Sequence, residues 1–244
     1  VNASRGTKSG LPKSTANCYH KQNNPKRTNT MLTIHGRKTS SNVQIVMWLV
    51  GELNLTHQRL DIGGNFGGTN TPEFLAKNPM GLVPVIEDNG FTVFETQTIQ
   101  RYLAEKHSAE TLWPPDTAAR AAADQWMEWA KTSVFPPLTL KVFWQQIRTS
   151  AAARDHRLIA EGAAELRARM AIADTRLALH DWLAGDKMTL ADITFGSMLY
   201  RYFTLDFERG DYTHLARYYE RLCGRAAYRE HVMVPYDSLR VADA

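Results

Sequence analysis

The sequence predicts an α/β domain built on a four-stranded sheet, followed by an all-α domain. Three observations carry that expectation. Up to about His107, short β-like segments alternate with segments of helical spacing; Pro114-Pro115 then breaks the chain; and nearly everything downstream is helical in composition. With 244 residues, 43% apolar and 10% aromatic, there is material for one large domain or two small ones. The divisions that follow are a leader over 1–30, an α/β domain over 31–108, a linker over 109–116, a helical domain over 117–235 and a tail over 236–244.

The leader is rich in Ser, Thr, Asn, Lys and Gly, lacks periodicity and precedes Met31, which suits a start. It is expected to be a disordered or appended extension, with a basic docking arm as the alternative. It holds six of the 29 basic residues and no acid, so the remainder carries 23 basic against 25 acidic residues. That balance argues against a polyanion-binding body, and no nucleic-acid partner is expected. No apolar run reaches the length of a membrane span and the N-terminus has no hydrophobic signal core, so a cytoplasmic location is expected. Cys18 and Cys223 cannot build a disulfide framework, a zinc set or a redox pair, and no metal is expected.

In the α/β part, "LTIH" is the first strand, and "NVQIVMWLVGEL" is a helix with Val43, Val46, Met47, Val50 and Leu53 at helical spacing. A strand near 56–61, the glycine-rich "GGNFGG" and a short helix opened by Thr71-Pro72 follow. Paired strands at 83–87 and 91–94 flank the turn Asp88-Asn89-Gly90, where glycine accepts a positive φ. A helix begins at Thr96. Downstream, Ile159, Ala163, Leu166, Met170, Ala173 and Leu177 form one apolar stripe on a long helix, expected to end at Gly185. Thr189 and Asp192 have capping-box spacing, and "ITFGSMLYRYF" behind them is apolar nearly all round, as a core helix should be.

Chemistry concentrates at three places. Pro84 lies among Val83, Val85 and Ile86, where a ladder does not tolerate it. A cis Val83-Pro84 bond would leave the amide and carbonyl of Val83 free for an extended peptide ligand; an edge proline without a ligand is the alternative. "RKTSSN" puts Thr39, Ser40 and Ser41 at a strand-to-helix junction, where hydroxyls and a helix N-terminus favour an anion such as a thiolate, or simply cap the helix. "FETQTI" places Glu95 and Thr96 at another helix start, suited to an α-amino acid head group or again to capping.

The stretch from Thr39 to Lys106, with "NPxGxVPxxED" and "E-[ST]-x-x-I-xxYL", resembles the N-terminal domain of cytosolic glutathione S-transferases, especially the bacterial theta-like branch with serine at the active site. The resemblance continues through "DQWMEW", "TLADITFG" and "RLCGRAAYREHV", and so spans Met31 to Pro235. It implies a thioredoxin-like domain with a four-stranded mixed sheet, and glutathione as co-substrate with no separate cofactor. Val83, beside cis Pro84, would bind the cysteinyl part; Glu95 and Thr96 the γ-glutamyl end. Ser40 would activate the sulfur, with Ser41 or Thr39 as alternatives and Asn42 helping to orient or replace the donor. Arg37, Lys38, His57 and Lys77 are candidates for the glycyl carboxylate. Trp126, Trp129 and Phe135 could line the electrophile pocket or lie in the core. The implied reaction is attack by bound glutathione thiolate on a hydrophobic electrophile, in a homodimer joined through the first helices of the second domain. A non-catalytic interaction module of the same fold, or a glutathione-dependent dehalogenation, isomerisation or peroxide reduction, are the alternatives.

There are departures from the family pattern. Glu95-Thr96-Gln97-Thr98-Ile99 stands where E-S-N-A-I is common, and Ile45 where lysine is common. Threonine keeps the hydroxyl but stiffens χ1.

Overall fold

The computed structural model describes residues 31–242, so the expectations for the leader and Cys18 lie outside the described residues. Four strands, β1 (Leu32–His35), β2 (His57–Leu60), β3 (Val85–Asp88) and β4 (Phe91–Phe94), form one sheet in the order β2-β1-β3-β4. β2 runs parallel to β1, and β3 and β4 run antiparallel to their neighbours. A parallel pair needs a crossover, and α1 (Ser41–Glu52) supplies it. The strands alternate their faces. Ile34 and Ile86 are fully buried in one core with Val43 of α1 and with Ile99 and Leu103 of α3 (Thr96–Lys106). On the opposite face, His35 meets Phe74 of the short α2 (Pro72–Leu75) edge-on at 6.3 Å.

Two expectations about boundaries change. Pro84 is not inside a strand: β3 begins at Val85, after the cis Val83–Pro84 bond, because proline has no N–H to give the ladder. The long helix, α6 (His156–Leu177), ends with its apolar stripe at Leu177 rather than at Gly185. Gly185, at φ +155°, belongs to a separate tight turn that pairs with Trp182.

The helical half opens with α4 (Thr117–Trp129), capped by Asp116, whose Oδ1 accepts from the Ala119 amide at 2.8 Å. α4 runs into π-helical turns at Ala130–Val134 and Pro136–Phe143 and ends in α5 (Trp144–Ile147). Pro136-Pro137 lack amide hydrogens and would clash with carbonyls four residues back in a regular α-helix. The wider π turns let the rod continue past them.

α7 (Leu190–Thr204) is buried along nearly all its length, as its sequence predicts. Asp192 organises its start, accepting from the amides of Leu183 at 3.0 Å and Thr189 at 2.8 Å and from the Tyr218 hydroxyl at 2.9 Å. Gly196 lets α7 press on α1, since a Cβ there would lie 3.0 Å from the Trp48 ring and 2.6 Å from Leu222. No helix among the described residues is long and apolar enough to cross a membrane.

The far end of α1 is fastened to the helical half through α8 (Thr213–Cys223) and α9 (Ala226–His231). Glu52 accepts from Arg225 Nε and Nη2 at 2.7 and 2.5 Å and from Trp48 Nε1 at 2.7 Å. Burial would raise the Glu52 pKa, but these bonds and the Arg225 charge hold it below the ordinary value of 4.5. A carboxyl depressed in the folded state stabilises above its unfolded value and loses that contribution as pH falls through the folded one. Glu52→Gln should therefore cost about 1 kcal/mol in urea unfolding near neutrality. That difference should vanish in acid, below the depressed folded value; a difference that does not depend on pH would contradict this reading of the pair.

Candidate active site

The turn between β1 and α1 is shaped by Gly36. At φ +152°, its missing Cβ would lie 2.4 Å from Val43 Cγ2 and 3.2 Å from Val83 Cβ, so glycine lets the turn and the Val83 segment touch. The Arg37 amide donates to Ile62 O at 3.0 Å and the Ser40 amide to Arg37 O at 3.1 Å, which closes the turn. Ser40 is the N-cap of α1, with φ −77° and ψ 123°, but its hydroxyl makes no capping bond. No acid lies in the first turn, so the partial positive charge of the helix start is not cancelled there.

The register brings several of the expected residues to one end of the sheet. His35 pairs with Val85, and Val85 with Phe94. One step onward lie Gly36 and the 37–40 turn, Val83-Pro84, and Glu95-Thr96. The amide and carbonyl of Val83 make no hydrogen bond among the described residues. Glu95, the N-cap of α3 at φ +69°, is exposed and makes no side-chain capping bond, whereas Thr96 is buried. Beside Thr96, the buried Nε2 of Gln97 has no partner among the described residues.

Thr39, Ser40 and Ser41 line a cavity of about 90 Å³ whose other wall comes from the helical half. Across it, Arg201 Nη2 donates 2.7 Å to the carbonyl of Thr39. Its guanidinium is wholly buried and also lies 4.1 Å from the Phe143 ring centre; burial brings its pKa down to about 10, so it is charged at neutral pH. Lys131, on the π segment, donates 2.7 Å to Asn42 Oδ1 and lies over the Phe135 ring at 3.9 Å. Burial lowers the Lys131 pKa, and the charges of Glu95 and Glu128 oppose that shift.

Other expected site residues are placed elsewhere. His57 pairs in register with Leu32, so the parallel strand puts it at the far end of the sheet, where its Nδ1 lies 2.8 Å from Leu55 O. Lys77 is tied to Glu87, which also takes His35 Nε2 at 2.5 Å, and its charge is spent on that group. Trp126 and Trp129 stack edge-on at 5.1 Å, and Trp129 meets Phe195 of α7 at 5.6 Å. They pack on the helical core, and the aromatic wall of the Ser40 cavity is Phe143 and Trp144 instead. Phe135 stands nearer the site, but under Lys131.

Sequence reasoning missed Lys131, Arg148 and Arg201. For Arg201 a signal existed: one arginine in a helix otherwise apolar all round must find a buried partner. Nothing local marks Lys131 or Arg148.

The chain matches two family models, "Glutathione S-transferase, N-terminal domain" over residues 32–105 and "Glutathione S-transferase, C-terminal domain" over residues 122–226. It is 33% identical over 207 residues to glutathione S-transferase GstB of Escherichia coli (strain K12), covering 84% of this chain and 99% of that protein. Among solved structures, the theta class glutathione S-transferase of Xanthomonas axonopodis pv. citri with glutathione bound superposes with a TM-score of 0.78 at 38% identity, covering 84% of this chain and 98% of that one. Elongation factor 1-gamma of Rattus norvegicus is 36% identical over 133 residues, covering 53% of this chain and 29% of that protein.

The clasp on Thr39 makes a testable claim about the turn. Arg201→Met removes a charge-assisted bond, a class that contributes about 1.5–3 kcal/mol. In the folded variant, amide exchange over residues 38–41 should therefore speed up about tenfold or more, with β3 unaffected; equal protection in the two proteins would show that the turn holds itself.

Proposed function

The chain belongs to the glutathione S-transferase family, and from that premise we propose that it is a glutathione transferase in which Ser40 activates the thiol. The observation that carries the assignment of Ser40 is its hydroxyl. It has no hydrogen-bond partner among the described residues, and it stands at the start of α1, at the sheet end where the Val83 backbone is also unpaired. Glutathione would lie extended along that end, its cysteinyl amide groups on Val83 and its γ-glutamyl head group toward Glu95 and Thr96. The sulfur then falls near Ser40.

A free thiol is mostly protonated at neutral pH. A hydroxyl donor, the N-terminal dipole of α1 and the nearby Lys131 charge all favour the thiolate. Lys131 acts through Asn42 as a positioning residue for the first turn. The thiolate attacks an electrophilic carbon, the sulfur–carbon bond forms, and the leaving group departs with its electron pair. Proximity and a lowered thiol pKa supply the rate, with no covalent enzyme intermediate. A homodimer in the cytoplasm belongs to the same proposal; sedimentation would find twice the chain mass.

A hydrogen bond to a charged sulfur contributes about 1.5–3 kcal/mol, or roughly 10- to 150-fold in rate. Ser40→Ala should lower kcat by that factor and abolish the ultraviolet absorbance of the bound thiolate, with calorimetric affinity for glutathione little changed. If Ser40→Ala has unaltered kinetics and Ser41→Ala does not, the role passes to Ser41. The likeness to elongation factor 1-gamma favours a second reading, an interaction module that has kept the fold. No heat of glutathione binding to the wild-type protein would select that reading.

A further inference from the structure

Three arginines meet at the cavity beside Ser40: Arg37 from the turn after β1, Arg148 from the end of the π-helical rod, and Arg201 from α7. No carboxylate lines it among the described residues. Arg201 spends one nitrogen on the Thr39 carbonyl. Among the described residues Arg37 has no side-chain hydrogen bond or ion pair, and its buried Nε has no partner. The Arg148 guanidinium lies over the face of Trp144, 5.7 Å from the ring centre. Asp61, in a neighbouring cavity that Arg37 also lines, is held by Arg59 at 2.5 Å.

The three cations therefore repel one another. The Arg148 charge adds to burial in lowering the pKa of Arg37, and the Arg37 charge does the same to Arg201. Converging partly buried guanidinium groups without a counterion is costly, and it is the arrangement that binds planar anions well. Besides the Thr39–Ser41 turn, the remaining walls are Phe143, Trp144, Thr139 and Leu239, and the two rings suit a flat apolar body carrying an acid group.

We infer that the electrophile this enzyme takes is itself an acid, an apolar or aromatic compound whose carboxylate docks among Arg37, Arg148 and Arg201 while its reacting carbon faces Ser40. The inference rests on the transferase reading above and names the substrate class for that site. The carboxylate takes the cavity of about 90 Å³ where the three arginines meet, and the body of the substrate lies against the rings of Phe143 and Trp144. The glycyl carboxylate of glutathione is the competing occupant. Its claim is weaker because Thr139, Phe143, Trp144, Arg148 and Arg201 all come from the helical half, whereas the tripeptide is placed along Val83 and Glu95 on the sheet side. In the reaction the carboxylate stays ionised; the sulfur–carbon bond forms and a halide leaves with its electron pair.

The test compares 4-fluoro-3-nitrobenzoate with its primary amide, two aryl halides of one shape that differ in charge. The wild-type enzyme should favour the acid in kcat/KM by about tenfold or more, and Arg148→Gln should lower the acid-to-amide ratio about tenfold. Calorimetry of 3-nitrobenzoate against 3-nitrobenzamide on glutathione-saturated protein gives the same preference if neither halide reacts. Equal handling of acid and amide overturns the inference and leaves the transferase intact. So does a variant that raises KM for glutathione and slows both halides alike, because the cavity then holds the tripeptide's own carboxylate. Failure of glutathione itself to bind removes the transferase reading, and this inference with it.

Discussion

One buried hydrogen bond ties the two halves of the candidate site together: Arg201 of α7 to the carbonyl of Thr39, residues 162 positions apart. A guanidinium so buried is expensive, and the bond to Thr39 together with the rings of Phe143 and Tyr236 offsets the cost. The return is geometric. The residue before Ser40 cannot drift while its carbonyl is held, so the start of α1 stays where the helical half puts it. α7 is a fit anchor because it is fixed twice more, by the Asp192 network at its start and by the contact of Gly196 with Trp48.

Charge around the site is divided between the two halves. The sheet side contributes Glu95, Arg37 and the unpaired Val83 backbone; the helical half contributes Lys131, Arg148 and Arg201. A zwitterionic tripeptide and an acidic co-substrate would find complementary charges on opposite walls of one cleft. The net charge of the chain says nothing of this, since its excess of base lies in the first thirty residues. Local placement, set by which helices face the sheet, decides it.

The π-helical rod does part of that placing. A regular helix would have kinked or stopped at Pro136-Pro137, and the chain beyond would have left the site. Wider turns absorb the prolines and keep Thr139, Phe143, Trp144 and Arg148 on the wall facing Ser40. The same rod carries Lys131 over Phe135 and onto Asn42. Trp126 and Trp129, one or two turns earlier, face the core instead; helical spacing alone could not tell these faces apart.

The succession of strands and helices in the first half, the four-stranded sheet and the turn at Asp88-Asn89-Gly90 could be read from the residues, whereas the grouping of Ser40, Val83, Pro84, Glu95 and Thr96 was implied by the family resemblance. Strand alternation, turn chemistry and caps are local rules that act over a few positions. Local rules also misled where the deciding partner was distant. His57 looked available as a cation until the register with Leu32 put it at the other end of the sheet, and Lys77 until Glu87 claimed it. Gly185 resembled a helix stop, but α6 ends where its apolar face does, at Leu177. By itself the sequence determined which segments of the first half fold as strands and helices and that the second half is helical. Only the tertiary structure decided which charges gather near Ser40, because Arg37 on the first turn, Lys131 and Arg148 on the π-helical rod and Arg201 on α7 lie on three segments that packing alone brings together.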